Sequence, residues 1–173
     1  MDVDAAGLVT LSKMGRPVAP KPPAGLAEII RKIPAKFLVK GVMTPDEARI
    51  CADAGAAGIV VSNHGGRVLD GVPGTARVLP EVAAAVRGRM TVLVDGGVRS
   101  GGDVLRMLAL GADAVMIGRP FSVMVLGGGK DGVASYPAQI RQELVQSMVL
   151  TGTESVRNVD SSILRNAGSG SGF

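Results

Sequence analysis

Residues 91–120 read TVLVDGGVRSGGDVLRMLALGADAVMIGRP, and within them one structural unit begins twice. A short aliphatic run, Thr91 to Val94, stops at Asp95-Gly96-Gly97. A helical pattern follows from about Gly102 to Leu110 and is closed by Gly111, since glycine just past a helix accepts the left-handed conformation that ends it. A second run, Ala114 to Ile117, stops at Gly118-Arg119-Pro120. Apolar runs of four residues without alternation are the mark of strands covered on both faces, as in parallel sheets.

Working outward, the same unit recurs upstream. Lys36 to Lys40 forms a strand-length run before Thr44-Pro45-Asp46-Glu47, which offers an N-cap, a proline at the first helical position and a capping-box glutamate. That helix is expected to end at Gly55. Gly58 to Ser62 is the next strand, and a glycine-rich loop leads to a helix from about Pro80, with Leu79, Val82, Ala83 and Val86 at helical spacing before Gly88. Downstream, a Gly127-Gly128-Gly129 loop precedes a helix from about Pro137 to Leu150, striped by Ile140, Leu144 and Met148.

Four consecutive βα units imply parallel strands with helices outside, because parallel crossovers are long and right-handed. A doubly wound open sheet and part of an eight-fold barrel both satisfy this. A whole barrel takes ~250 residues, so 173 residues hold about half of one. Residues 1–35 read as a strand end, a proline-rich extended linker (Pro17, Pro20, Pro22, Pro23) and a helix near Leu26 to Lys32. Residues 36–155 carry the βα units, and 156–173 form a tail with flexible-linker composition over 167–173.

The composition narrows the function classes. Hydrophobic residues make up 46% with 25 glycines and no tryptophan, so the core must be built from Val, Ile, Leu, Met and Ala. One cysteine, Cys51, leaves no internal disulfide framework, and no basic-then-apolar leader opens the chain, so a reducing cytoplasm is expected. The longest apolar runs are strand-length, well short of the ~20 residues that cross a bilayer. The net charge of +4 is spread without a basic stripe or stacking aromatics, which argues against nucleic acid and suits an anionic cofactor and substrate. The glycines at 127–132 lack the spacing of a nucleotide-binding P-loop, and Cys51 has no second cysteine or histidine nearby, so no metal site is expected.

The residues able to do chemistry lie just after the strands. Ser62-Asn63-His64-Gly65-Gly66-Arg67 places the chain's one histidine at the C-terminal end of a parallel strand, the edge where ligands bind in α/β folds. An imidazole can take a proton from a substrate hydroxyl, and the Arg67 guanidinium can hold a carboxylate in two places. The Asp95-to-Gly102 loop opens a helix and supplies backbone N–H groups for an anion. Gly118-Arg119-Pro120 stands in the equivalent place one strand on, so that Arg99 and Arg119 are expected to converge on one dianion.

Together SNHGGRVLDGVPGT, LVKGV and VDGGVRSGGDVLRMLALGADAVMIGRP resemble the FMN-dependent α-hydroxy-acid dehydrogenase and oxidase family, over roughly residues 1 to 155. The resemblance implies a TIM-type (β/α)8 barrel of which this chain supplies about the last four units. It implies FMN, held by Lys40 at the flavin N1/O2 edge, Ser62 at the isoalloxazine, Asp95 at the ribityl chain, and Gly96, Gly97, Val98, Arg99, Gly118 and Arg119 around the phosphate. It further implies oxidation of a small 2-hydroxy acid such as lactate or glycolate, with His64 as base and Arg67 as carboxylate anchor. Val3-Asp4-Ala5 is similar to the family's fourth-strand tip, so Asp4 is the candidate partner of His64; read alone, Asp4 equally suits a helix cap.

Departures from the family pattern accompany the match. Family chains are about twice as long, Val68 stands where glutamine is common, and the segment after Asp4 is short. A half-barrel exposes strand edges, so the missing N-terminal half or another copy is the expected partner, and a homo-oligomer the expected assembly. Two further readings stay open: a non-catalytic half-barrel, and another FMN barrel such as a flavin-dependent isopentenyl-diphosphate isomerase.

Overall fold

The computed structural model describes residues 1–7, 9–16 and 18–164; the second half of the tail expected over 156–173, including the flexible-linker stretch 167–173, lies outside the described residues. Its helices are α1 (Val9–Lys13), α2 (Pro23–Lys32), α3 (Pro45–Asp53), α4 (Thr75–Ala85), α5 (Gly101–Ala109) and α6 (Arg119–Thr151). The strands are β1 (Leu38–Val42), β2 (Gly58–Val61), β3 (Thr91–Val94) and β4 (Ala114–Val115). All pair in parallel in the order β1-β2-β3-β4. A doubly wound sheet reverses its strand order at a switch point, whereas a barrel adds each strand beside the last. Sequential order therefore selects the barrel over the open sheet.

The two faces of the sheet differ in chemistry. Val39, Val42, Ile59, Val61, Val92 and Val94 are buried against the helices with Leu79, Val82 and Val86. Alternate residues point the other way. On that inner side Leu38 is exposed and Lys40, Leu93 and Asp95 only partly covered. Met1 to Val3 lies along β1 as the stub of a further parallel strand, bonded through Val3 N–H to Lys40 O (2.8 Å) and Lys40 N–H to Met1 O (2.8 Å).

Local chemistry explains most boundaries. Thr44 and Glu47 close the expected capping box on α3, and Ser100 with Asp103 does the same for α5. Two expectations need correction. The helix expected from Pro80 starts at Thr75, with Pro80 inside it. Burial of Val78 and Leu79 on the turn before the proline outweighs the one hydrogen bond that a proline deletes. The loop expected at Gly127–Gly129 shrinks to one residue: α6 runs through it, broken only where Gly129 adopts φ 53°, ψ −139°, a conformation closed to residues with a Cβ. Smaller shifts fall within the usual fraying of ends: β1 sits two residues later than expected, β2 ends one residue and β4 two residues earlier.

Candidate active site

Asp4 begins a 3-10 turn, Asp4–Gly7, at the end of the stub strand, and its carboxylate meets the His64 ring across 60 residues of sequence. Nδ1 of His64 lies 3.1 Å from one oxygen and 3.2 Å from the other. A carboxylate only accepts, so the contact calls for a proton on Nδ1, and in the neutral ring that tautomer carries its lone pair on Nε2. Both side chains are largely shielded from solvent, at 15% and 12% exposure.

The space for this pair is made by β1. Its register slips between Lys40 and Val42, and Gly41 sits in the slip with φ 100°. A Cβ there would stand 2.5 Å from Asp4 Cγ and 2.7 Å from Oδ1. Gly41→Ala is therefore expected to swing Asp4 away from His64 at a stability cost of about 2 kcal/mol. Proton NMR checks this directly, since the hydrogen-bonded Nδ1 proton should vanish from the far-downfield region; a resonance left unchanged refutes the dependence on Gly41.

His64 itself is the one non-glycine residue among those described with a positive φ, 58°. Its N–H donates to the Ser62 hydroxyl (3.1 Å), and Ser62 is fully buried. The Ser62 hydroxyl is thus turned into the loop, where it holds the histidine in this uncommon conformation. Arg67 Nε donates to the His64 carbonyl (2.9 Å), and its terminal nitrogens make no hydrogen bond among the described residues. Arg119 reaches across from the end of β4 to donate to the Gly65 carbonyl (3.2 Å).

Lys40 lies between two carboxylates, 3.0 Å from Asp2 and 3.6 Å from Asp95. Burial works against its ammonium, but the Asp2 hydrogen bond and the charges of Asp95, Asp2 and Asp4 outweigh that and raise its pKa above the ordinary lysine value. Asp2, Asp4 and His64 bring one donor atom each within 4.8 Å of one another, yet Lys40 already supplies the cation beside Asp2. Asp2 escaped the sequence reading because its only signal was its place two residues before Asp4. Cys51 is buried on α3, and burial followed by the nearby Glu47 pushes its thiol up to about 11, as suits an inert side chain.

Beyond β3, the N–H groups of Gly96, Gly97 and Val98 have no partner among the described residues. The Val98 side chain is packed in the core, so this residue has only its backbone to offer a ligand. One atom of Asp95, Oδ1, is buried without any hydrogen-bond partner. Beside these loops is a cavity of about 1010 Å³, bordered by Asn63, Gly65, Thr75, Gly96, Gly97 and Arg119. A second hollow, about 1100 Å³, lies at the opposite end of β3 and β4 between α5 and α6, away from the imidazole.

A sequentially wound parallel half-barrel, carrying an imidazole–carboxylate pair and bare amides on one rim, belongs with the (β/α)8 proteins that hold ligands at the C-terminal ends of their strands. More narrowly, the chain belongs to the FMN-dependent dehydrogenase family, whose model matches residues 12–166. It is 53% identical over 128 residues to an L-lactate dehydrogenase of Caulobacter sp. (strain K31), a match covering 74% of this chain and 34% of that protein. It is 50% identical over the same length to an L-lactate dehydrogenase of Xanthomonas campestris pv. campestris (strain B100). Among solved structures, a mandelate oxidase superposes with a TM-score of 0.80 at 42% identity, covering 86% of this chain and 43% of that one. The chain thus spans about a third of the length of the curated relatives it matches. It supplies part of a TIM-type barrel.

Proposed function

We propose that this chain carries the base and the cofactor cradle of an FMN-dependent enzyme that oxidises a small 2-hydroxy acid to the 2-oxo acid. The observation that carries the reading is the Asp4–His64 pair at 3.1 Å beside a loop of unpartnered amides. The residues fit FMN on their own chemistry: the orphaned Asp95 Oδ1 suits a ribityl hydroxyl donor, and the Gly96, Gly97 and Val98 amides with Arg99, Gly118 and Arg119 suit the phosphate.

When bound, FMN supplies a two-electron acceptor that takes the substrate α-hydrogen as hydride at N5. Arg67 holds the substrate carboxylate with its free terminal nitrogens. His64 accepts the hydroxyl proton at Nε2, and Asp4 fixes the ring and stabilises the imidazolium that forms. Lys40 sets positive charge where the reduced ring gathers negative charge. Ser62 acts by holding the His64 backbone, beside the place proposed for the isoalloxazine. The L-lactate dehydrogenase and mandelate oxidase relatives favour a hydroxy acid over a diphosphate substrate.

The barrel needs its other strands, and the exposed inner face around Leu38, with Leu126, Val149 and Leu150 bare on α6, supports pairing with an N-terminal half and assembly into an oligomer. No helix among the described residues is long and apolar enough to cross a membrane. A buried, unpaired Cys51 suits a reducing cytoplasm.

A visible spectrum tests the reading. The protein paired with its N-terminal half and added FMN, kept anaerobic, is expected to take up flavin and to bleach on adding lactate, glycolate or mandelate. Flavin uptake without bleaching by any of the three counts against 2-hydroxy-acid oxidation.

A further inference from the structure

The chain has a single tyrosine, and the reaction proposed above has no use for it. Tyr136 lies in the second arm of α6 with 3% of its surface exposed, and its hydroxyl donates to the Arg99 carbonyl at 2.8 Å. The next N–H in the chain, that of Ser100, donates to Asp103 Oδ2 at 3.2 Å. One peptide unit, Arg99 C=O with Ser100 N–H, is therefore gripped at both ends, by Tyr136 and by Asp103. A peptide so held resists rotation, and it stands one residue past the bare amides of Gly96, Gly97 and Val98.

The tyrosine ring also reaches the neighbouring loop. Phe121 stands edge-on to it, with ring centres 5.1 Å apart and planes at 79°. The Phe121 N–H donates to the Gly118 carbonyl (2.9 Å), so Phe121 is the first turn after Gly118-Arg119-Pro120. Farther along α6, Glu143 accepts the Gly101 N–H at 2.8 Å, docking the start of α5 on the same arm. Burial, with the charges of Glu143 and Asp103, raises the Tyr136 pKa, which keeps the hydroxyl a donor into alkaline conditions.

We propose that Tyr136 is a positioning residue for a phosphate monoester: its hydroxyl locks the Arg99–Ser100 peptide, and its ring ties that loop to the Gly118–Arg119 loop, so that both present donors to one anion. This rests on the reading of these loops as the FMN phosphate site. Without the hydroxyl, the Arg99 carbonyl loses its hydrogen-bond partner and the peptide is held at its Ser100 end alone, so the carbonyl can tilt toward the cradle, where it repels the anion.

The test compares FMN with riboflavin, which lacks the phosphate, by flavin fluorescence quenching on the wild-type and Tyr136→Phe proteins. Tyr136→Phe keeps the ring and its Phe121 contact. FMN affinity is expected to fall about tenfold while riboflavin affinity changes by less than about twofold. An equal fall for both flavins, or no fall for FMN, overturns the positioning role. A wild-type protein that prefers FMN no more than riboflavin overturns the phosphate-site reading instead. If Tyr136→Phe melts below the assay temperature, Phe121→Leu, which keeps the hydroxyl and removes the ring edge, is expected to show a smaller loss confined to FMN; a loss shared by riboflavin overturns the inference.

Discussion

Replacing His64 by alanine is expected to cost about 10²- to 10⁴-fold in 2-hydroxy-acid turnover while FMN stays bound, the span that positioned proton transfer contributes. His64 makes no hydrogen bond to the amides assigned to the phosphate, and its ring is hydrogen-bonded to Asp4 alone among the described residues, so flavin affinity should be spared. Asp4→Asn should fall in the same range, because an amide in place of the carboxylate can present its NH₂ to Nδ1 and drive the proton to Nε2, the atom that must accept one. The double variant should be little worse than either single one, since residues that act as a unit lose their joint contribution once. Steady-state rates with the barrel complete, alongside the flavin absorbance of each variant, decide the matter. Turnover left intact in His64→Ala would remove the histidine from the mechanism.

The second large effect concerns the fold. Gly101→Ala is expected to destabilise the protein by about 3 kcal/mol or more, lowering Tm by about 6 °C or more, because the new methyl has nowhere to go. A Cβ at this position overlaps the backbone of α6 at Leu144, Ile140 and Glu143, with the Glu143 carbonyl carbon only 2.6 Å away. Backbone cannot step aside as a flexible side chain can. Gly102→Ala makes the control: there the nearest atom is Ser147 Oγ at 3.4 Å, an ordinary contact, and alanine is the better helix former. That variant should melt at or slightly above the parent. Similar melting of the two by calorimetry would mean that α5 and α6 are not seated as closely as described.

Local chemistry made much of this legible in advance. The Thr44 capping box, the Thr91–Val94 strand and the glycine loops at 95–97 are decided by neighbours in sequence, and they stand where the sequence reading placed them. Properties set by distant partners were not legible. Barrel and open sheet share the same βα grammar, and only the strand order separates them. Asp4 was reached through resemblance, because nothing local links it to an imidazole 60 residues on. Gly41 stood in the sequence only as one letter of LVKGV, and its role depends entirely on where Asp4 lies. Pro80 and Gly127–Gly129 misled for a related reason: tertiary burial and a close helix pair tolerated residues that local propensity treats as breaks.

The sheet's sequential winding has a consequence for how such proteins can be recombined. Everything proposed here to hold the flavin, together with the base and its carboxylate, comes from one uninterrupted stretch of chain whose only strand neighbours outside itself are at its two edges. Residues 2–119 therefore move as one unit in recombination: exchanged as a block between relatives, they would carry Asp4, His64 and the amide-bearing loops together. Such exchanges would leave the Asp4–His64 pair and its register with β1 undivided.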